Sequence, residues 1–211
     1  MSGDFDDFFR TAYPRLMARA VLLCGNRADA EDAVAQAFAE VARNWDTASG
    51  YDAPEAYLHV TMTRKVFRQF RRLRRQEEVA ALELPVSPHA TPHEEFAAKE
   101  VLAVIAGLPT MQRAVVVRCC LDDMPQAEVA KLLGIQRSTV AVHLHKARKT
   151  LSAVLFGQAY DFVPDSATLT HRLLDTERWL AEGFAADTTT RERVRATVDL
   201  VAQPQRRWWR G

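Results

Sequence analysis

The chain has 211 residues, of which 48% are hydrophobic and 26% charged, a balance that fits one ordinary soluble domain or two small ones. Its formal net charge is only +1, so any attraction to nucleic acid must come from where the cations lie and not from their sum. No apolar run of about 18 residues and no short apolar segment behind a basic amino terminus is present, which predicts neither a membrane span nor a secretory signal, and hence a cytoplasmic location. The three cysteines, Cys24, Cys119 and Cys120, are odd in number and lack CxxC spacing; this argues against a disulfide framework and a thiolate zinc site, and predicts buried small apolar residues.

Apolar residues recur at a period of 3.6 almost throughout, and no segment alternates long enough to suggest a strand. The expected fold is all-α: two small helical domains joined by an acidic, proline-containing linker, followed by a helical C-terminal extension. Phe5, Phe8, Phe9, Tyr13, Leu16, Met17, Ala20, Val21 and Leu23 outline a first helix ending near Gly25. A second helix should start around Asp29, whose carboxylate can cap the first turn with Asp32 three residues on, and run through Val34, Phe38 and Val41 to about Trp45. The stretch DTASGYD, residues 46–52, reads as a loop, and Pro54 opens the next helix, where its missing amide is not needed.

That third helix carries RKVFRQFRRLRRQEE, residues 64–78. At about 100° per residue, Val66, Phe70 and Leu73 share a face with His59 and Met62, while Arg64, Lys65, Arg68, Arg71, Arg72 and Arg75 lie opposite. A solvated face usually mixes both signs, yet Glu55 is the only acid between Pro54 and Arg75. Burying the apolar side would therefore present a cationic face to nucleic acid, or to an anionic membrane or acidic partner.

Residues 76–95 change character, with five acids, three prolines and no Lys or Arg, and read as an extended linker. Thr91, Pro92 and Glu94 form a capping box with proline at the first helical position, starting a helix that ends at Gly107. Helices over 110–121, over 125–133 closed by Gly134, and over 137–156 closed by Gly157 complete a compact second bundle.

Within it, MPQAEVAKLLGIQRSTVAVHLHKARKTL, residues 124–151, has the form of a helix-turn-helix. Val129, Ala130, Leu133 and Ile135 should pack inward with Val140 and Leu144. Gln136, Arg137, Ser138, Thr139, Ala141, Val142, His143 and Lys146 are then left to meet a DNA major groove, with Arg148 and Lys149 nearer the backbone. Arginine can read guanine through two hydrogen bonds, while Ser, Thr and helix-start amides suit phosphate oxygens. An ordinary helical hairpin with basic residues at its end, where the helix dipole favours them, is the plainer reading. The agreement of turn glycine, apolar spacing and basic front argues against it.

Taken together, these pieces resemble the extracytoplasmic-function, or group IV, sigma factors of bacterial RNA polymerase. In the first lobe the family's AEDxVQxxF pattern appears as Ala30-Glu31-Asp32-Ala33-Val34-Ala35-Gln36-Ala37-Phe38, with Ala35 departing where the pattern has Gln. The second lobe, from Leu108 to Leu151, is similar to the sigma-4 domain with its helix-turn-helix. The resemblance implies a sigma-2-like domain over 1–76, a linker over 77–93, a sigma-4-like domain over 94–156 and an extension over 157–211. It implies that Glu31, Asp32, Gln36 and Glu40 meet a basic coiled coil of the polymerase clamp. It also implies that residues 46–52 capture a base flipped from the minus-ten element, with Trp45 and Tyr51 as walls. Tyr57, Arg64, Lys65, Arg68, Arg71 and Arg72 would then hold the melted region, and the recognition helix, with Gln136, Arg137, Ser138, Thr139, Ala141, His143, Lys146 and Arg148, would read the minus-thirty-five element. The partners implied are core RNA polymerase through its clamp and flap, promoter DNA, and an anti-sigma factor; no metal or other cofactor is implied. Trp45 fits the core as well as a pocket wall, and Asp29, Glu31 and Asp32 also suit a helix start.

Where many relatives carry Lys and Arg on the recognition helix, this chain has Thr139-Val140-Ala141-Val142-His143-Leu144, so promoter preference cannot be copied from them. The extension has two amphipathic stretches, Leu169, Leu173, Leu180 and Phe184, then Val194, Val198 and Val201, and ends QPQRRWWRG. Two readings fit it: helices packed on the rest of the chain, or a fused regulatory segment masking a polymerase- or DNA-binding face. The six histidines form no metal-ligand spacing with cysteines, no phosphate-cradling glycine loop exists, and no nucleophile has an evident base, which argues against an enzyme. The alternative function is a free-standing helix-turn-helix regulator of duplex operators, for which the first lobe offers no evident ligand pocket or dimer face.

Overall fold

The computed structural model of the chain describes residues 3–72, 84–156 and 166–203, the side chains of residues 69–72 and 166 excepted. The side chains of Phe70, Arg71 and Arg72, all of Leu73, Arg75 and Gly157, and the end stretch 204–211 therefore lie outside the described residues. Among the described residues there are ten helices and no strand. They are α1 (Gly3–Cys24), α2 (Arg27–Arg43), the short α3 (Trp45–Ala48), α4 (Pro54–Arg72), α5 (Pro92–Ala106), α6 (Thr110–Cys120), α7 (Gln126–Leu133), α8 (Arg137–Leu155), α9 (Ser166–Ala186) and α10 (Thr188–Ala202).

Helix α1 is the centre of the molecule. From Leu16 to Cys24 every residue is buried, Arg19 included, and a helix apolar on all sides must be covered on all sides. The covering elements are α2 and α4 of the first lobe, α5 and α6 of the second, and α9 of the extension. At its amino end Phe5, Phe8 and Phe9 pack with Phe38 of α2 and with Trp45, at ring-centroid distances between 4.6 and 6.5 Å. Large aromatic faces bury the most apolar area per side chain, so this cluster anchors α1 to α2.

The capping of α2 differs from the sequence expectation. Asn26, not Asp29, is the N-cap: its side chain accepts the Asp29 amide at 2.8 Å, and the helix starts at Arg27. Asparagine serves at that position as well as aspartate, and the preceding Gly25 turn places it there. The expected loop over 46–52 also begins with the turn α3, whose Ala48 is buried. The second bundle follows expectation closely. Thr91 and Glu94 close a capping box at α5, and Gly134 ends α7 with φ 68°, a left-handed conformation in which a side chain would be strained.

Helix α9 runs along both lobes. Its early residue Arg172 stacks on Phe156 at the end of α8, Glu177 reaches α1, and Phe184 lies under Arg27 at the start of α2. Gly183 lets the linker touch it, because a Cβ there would stand 2.4 Å from the Pro85 carbonyl oxygen, and Ser87 of the linker donates to Glu182 at 2.6 Å. The linker is therefore packed at 85–87 rather than free along its length.

Where the lobes and the extension meet, charges are buried. Arg19, only 5% exposed, donates to Glu177 at 2.6 Å, pairs with Asp122 in the turn after α6, and donates to the Leu121 carbonyl at 3.3 Å. Arg15 reaches the same Glu177 at 3.1 Å, and Arg118 also pairs with Asp122. One guanidinium thus ties α1, the second lobe and α9 together. Burying such charges is tolerable only when each is paired. His59 of α4 lies in the field of Arg15, Arg19 and Arg118, and burial first, then those cations, push its pKa down to about 3. Cys24 and Cys120 are buried as expected, whereas Cys119 is half-buried, its thiol pushed up to about 11 by burial and then by Cys120.

Candidate nucleic-acid and polymerase interfaces

Behind the Gly134 turn, the first turns of α8 stand clear of the bundle. Gln136, Arg137, Ser138, Ala141, Val142 and Lys146 are exposed and Thr139 and His143 half-exposed, while Val140, Leu144, Ala147 and Leu151 turn inward. The period of burial is that of a helix lying on α6 and α7 with one side left to a groove. Gln136, the N-cap of α8, makes no side-chain capping bond, and the start of a helix receives phosphate oxygens well. Val142, half exposed, offers an apolar contact of the kind that suits a thymine methyl. Arg148 departs from the expected set: it is half-buried, with its guanidinium 3.8 Å from the Cys120 sulfur, facing α6 and not DNA.

Helix α4 buries Leu58, Thr61, Met62, Thr63 and Val66 and leaves Arg64 and Arg68 exposed. Lys65, expected among the DNA contacts, instead pairs with Glu40 of α2, so one ion pair consumes a residue from each expected interface. Trp45 belongs to the aromatic cluster on α1, which removes it as an open pocket wall. Tyr51, 44% exposed, and Tyr57 pack edge-to-face at 5.2 Å where α4 begins. That pair, with Arg64 and Arg68 further along the same helix, supplies a π-face and cations, the combination that holds unpaired bases.

Helix α2 is enclosed by α1, α4 and α10. Of the four expected polymerase contacts, Asp32 and Gln36 are exposed, four residues apart on one strip. Glu31 accepts from Arg27 at 2.8 Å and, through its other oxygen, from Arg193 of α10 at 2.6 Å; Glu40 is held by Lys65. The one cation that reaches Glu31 from α10, Arg193, comes from a segment some 160 residues away, and no local pattern in α2 announces it. Among the described residues no His, Cys, Asp or Glu cluster could hold a metal ion, and no helix is long and apolar enough to cross a membrane.

A recognition helix behind a glycine turn, a cationic and aromatic helix in the other lobe, and a polar strip with Asp32 on the neighbouring α2 define a class of multi-element DNA-binding protein. Comparison with known proteins makes the class specific. Residues 8–76 match the family described as Sigma-70 region 2, and residues 98–151 match Sigma-70, region 4. The chain is 31% identical over 159 residues to the RNA polymerase sigma-E factor of Streptomyces coelicolor, covering 75% of this chain and 89% of that one. It is 32% identical over 171 residues to the ECF RNA polymerase sigma factor EcfG of Rhodopseudomonas palustris, covering 78% and 93%. To the ECF RNA polymerase sigma factor SigE of Mycolicibacterium smegmatis it is 27% identical over 157 residues, covering 70% and 60%. The chain belongs to the extracytoplasmic-function group of the sigma-70 family. It is a sigma factor for transcription initiation, which binds core RNA polymerase and promoter DNA. The reading as a free-standing operator-binding regulator is not favoured.

Proposed function

We propose that the two lobes divide promoter recognition, with the sigma-2-like domain over 1–76, the linker over 77–93, the sigma-4-like domain over 94–156 and the extension over 157–211. Gln136, Arg137, Ser138, Thr139, Ala141, His143 and Lys146 read the minus-thirty-five element from the major groove. Arg64 and Arg68, with Arg71 and Arg72 on the same helix, hold phosphates beside the minus-ten element. Tyr51 and Tyr57 stack on a base extruded there, returning the few kcal/mol that unstacking costs. Asp32 and Gln36, joined by Glu31 and Glu40, meet the basic surface of the polymerase clamp, and the second lobe meets the flap. The reading gives the chain no catalytic step and no cofactor, sets its work in the cytoplasm, and allows an anti-sigma factor as a further partner. The observation that carries it is the exposed front of α8, inward-packed at every fourth or third residue and, among the described residues, free of covering elements on its outward side.

The test is run-off transcription from a promoter library, with core polymerase and this protein as the only specificity factor. Arg137→Ala should relax the preference at one minus-thirty-five position by about 1–3 kcal/mol while leaving the minus-ten preference alone. Tyr51→Ala should lower open-complex yield, read by 2-aminopurine fluorescence at minus-ten, by about 1–3 kcal/mol for one lost stack. Unchanged preference in the first variant, or unchanged opening in the second, would remove that residue from the promoter interface.

A further inference from the structure

We infer that α9 and α10 form a built-in latch: they hold the chain in a closed arrangement in which α10 already occupies the Glu31 edge of the polymerase-facing side of α2, so that core polymerase must displace α10 to engage that carboxylate. The inference rests on the assignment of α2 to the polymerase clamp.

The contacts between α10 and α2 advance in step. Arg27 donates to Asp187 at 2.7 Å, Arg193 donates to Glu31 at 2.6 Å, and Arg43 donates to the Val201 carbonyl at 2.9 Å. The two helices therefore lie parallel and α10 follows α2 from end to end. Asp187, the N-cap of α10, accepts the Thr190 amide at 3.0 Å and is bonded to the Thr190 hydroxyl and to Arg27. Burial alone would raise its pKa, but those hydrogen bonds and the Arg27 charge hold it below the usual carboxylate value. At the other flank, Arg195 donates to Asp6 at 2.6 Å and lies over the Phe5 and Phe9 rings. Beneath α10, Arg27, Glu31, Ala35 and Ala42 fall on one stripe of α2. Ala35, the position at which the first-lobe pattern has glutamine, is 3% exposed; the small side chain leaves room for a helix where a longer one would stand in its way.

A basic clamp surface and Arg193 would take the same Glu31 carboxylate, whose two oxygens are already filled by Arg27 and Arg193. Occupancy of α2 by α10 and by the clamp is thus competitive at that residue. The lobes are held as well. Elements named minus-ten and minus-thirty-five stand about 25 base pairs apart, or about 85 Å at about 3.4 Å per pair. A packed chain of this length has a radius of gyration of only about 17 Å. While Arg19 joins α1 to Glu177 of α9 and to Asp122 of the second lobe, α4 and α8 cannot span that distance. Release of the latch and separation of the lobes are one event, because α9 and α10 follow each other in the chain and both rest on the first lobe.

The experiment uses the full-length chain and core polymerase. Arg193 has a 58% exposed side chain, so Arg193→Glu leaves the fold intact while setting like charges opposite each other at Glu31. Apparent affinity scales with the fraction of open chain. The variant should bind core polymerase about three- to tenfold more tightly than wild type, the range expected when an exposed ion pair becomes a like-charge contact. Glu31→Arg, which breaks the same ion pair but removes the carboxylate the clamp needs, should bind more weakly than Arg193→Glu. In wild type, amide hydrogen exchange over 188–202 should speed up when polymerase is added. Equal affinity of wild type and Arg193→Glu, with α10 equally protected in the free and bound chain, would overturn the latch and leave the sigma reading standing. Failure of both proteins to bind core polymerase would overturn the assignment of α2 and the latch with it.

Discussion

The front of α8 and the flank of α2 are two surfaces proposed above to meet DNA and polymerase, yet the fold treats them differently. Gln136, Arg137 and Ser138 are exposed, with no element over them among the described residues, whereas Glu31 and Glu40 are engaged by Arg193 and Lys65 and the surrounding alanines are buried. On the proposed assignments the second lobe would thus be ready to read duplex DNA in the free chain, while the Glu31 edge of α2 is not equally open. Exposure of a recognition helix costs little, because apart from Val142 its outward residues are polar or small. An alanine stripe beside a carboxylate is costlier to expose, and α10 supplies its apolar cover and, through Arg193, the countercharge of Glu31.

That contrast can be broken most forcefully at the junction. Arg19→Ala would leave Glu177 and Asp122 without their shared guanidinium, and removing one partner of a buried pair costs about 3–5 kcal/mol. The loss should appear in chemical denaturation. A change under about 1 kcal/mol would mean that the junction does not hold the enclosed half together.

The same junction should be sensitive to acid. His59 titrates near 3 in the folded chain and near its ordinary value of about 6.5 in the unfolded one, so between those values the unfolded state binds the extra proton. Stability from this group is full above about pH 6.5 and falls as pH drops toward 3, by up to about 1.4 kcal/mol per pH unit. Melting curves of wild type and His59→Gln across that range should diverge in slope, wild type being the steeper. Parallel curves would place His59 outside the charged junction.

The smallest effect sharpens the open side. Arg64→Ala with Arg68→Ala should flatten the salt dependence of promoter binding by about one to two phosphate equivalents, while Arg148→Ala, turned toward Cys120, should leave the slope unchanged. A slope reduced by Arg148→Ala would show that its side chain swings to DNA on binding.

Local signals were enough to draw the second lobe. The Thr91–Glu94 capping box, the Gly134 stop and the spacing of Val129, Leu133, Val140 and Leu144 each act within a few residues, and the helices occur where those residues require. The N-cap of α2 was missed because Asn26 and Asp29 are both good caps, and the turn at Gly25 decided between them. Lys65 and Arg148 looked like DNA contacts because a wheel shows which way a side chain leaves its own helix, but not that Glu40 or Cys120 waits on a neighbour.

The sequence alone determined an all-α chain with a helix-turn-helix, a cationic helix, an acidic helix and an amphipathic extension, since periodicity, caps and charge runs are short-range properties of the chain. Only the tertiary structure decided that Arg19 would bridge three segments, that Glu31 would be met by Arg193, and that α9 would lie across both lobes. The ion pairs among them join residues separated by about a hundred positions or more, and nothing local distinguishes the arginine that will find a buried carboxylate from one that stays in water. Packing makes that choice, because burial turns an ordinary ion pair into an obligatory one.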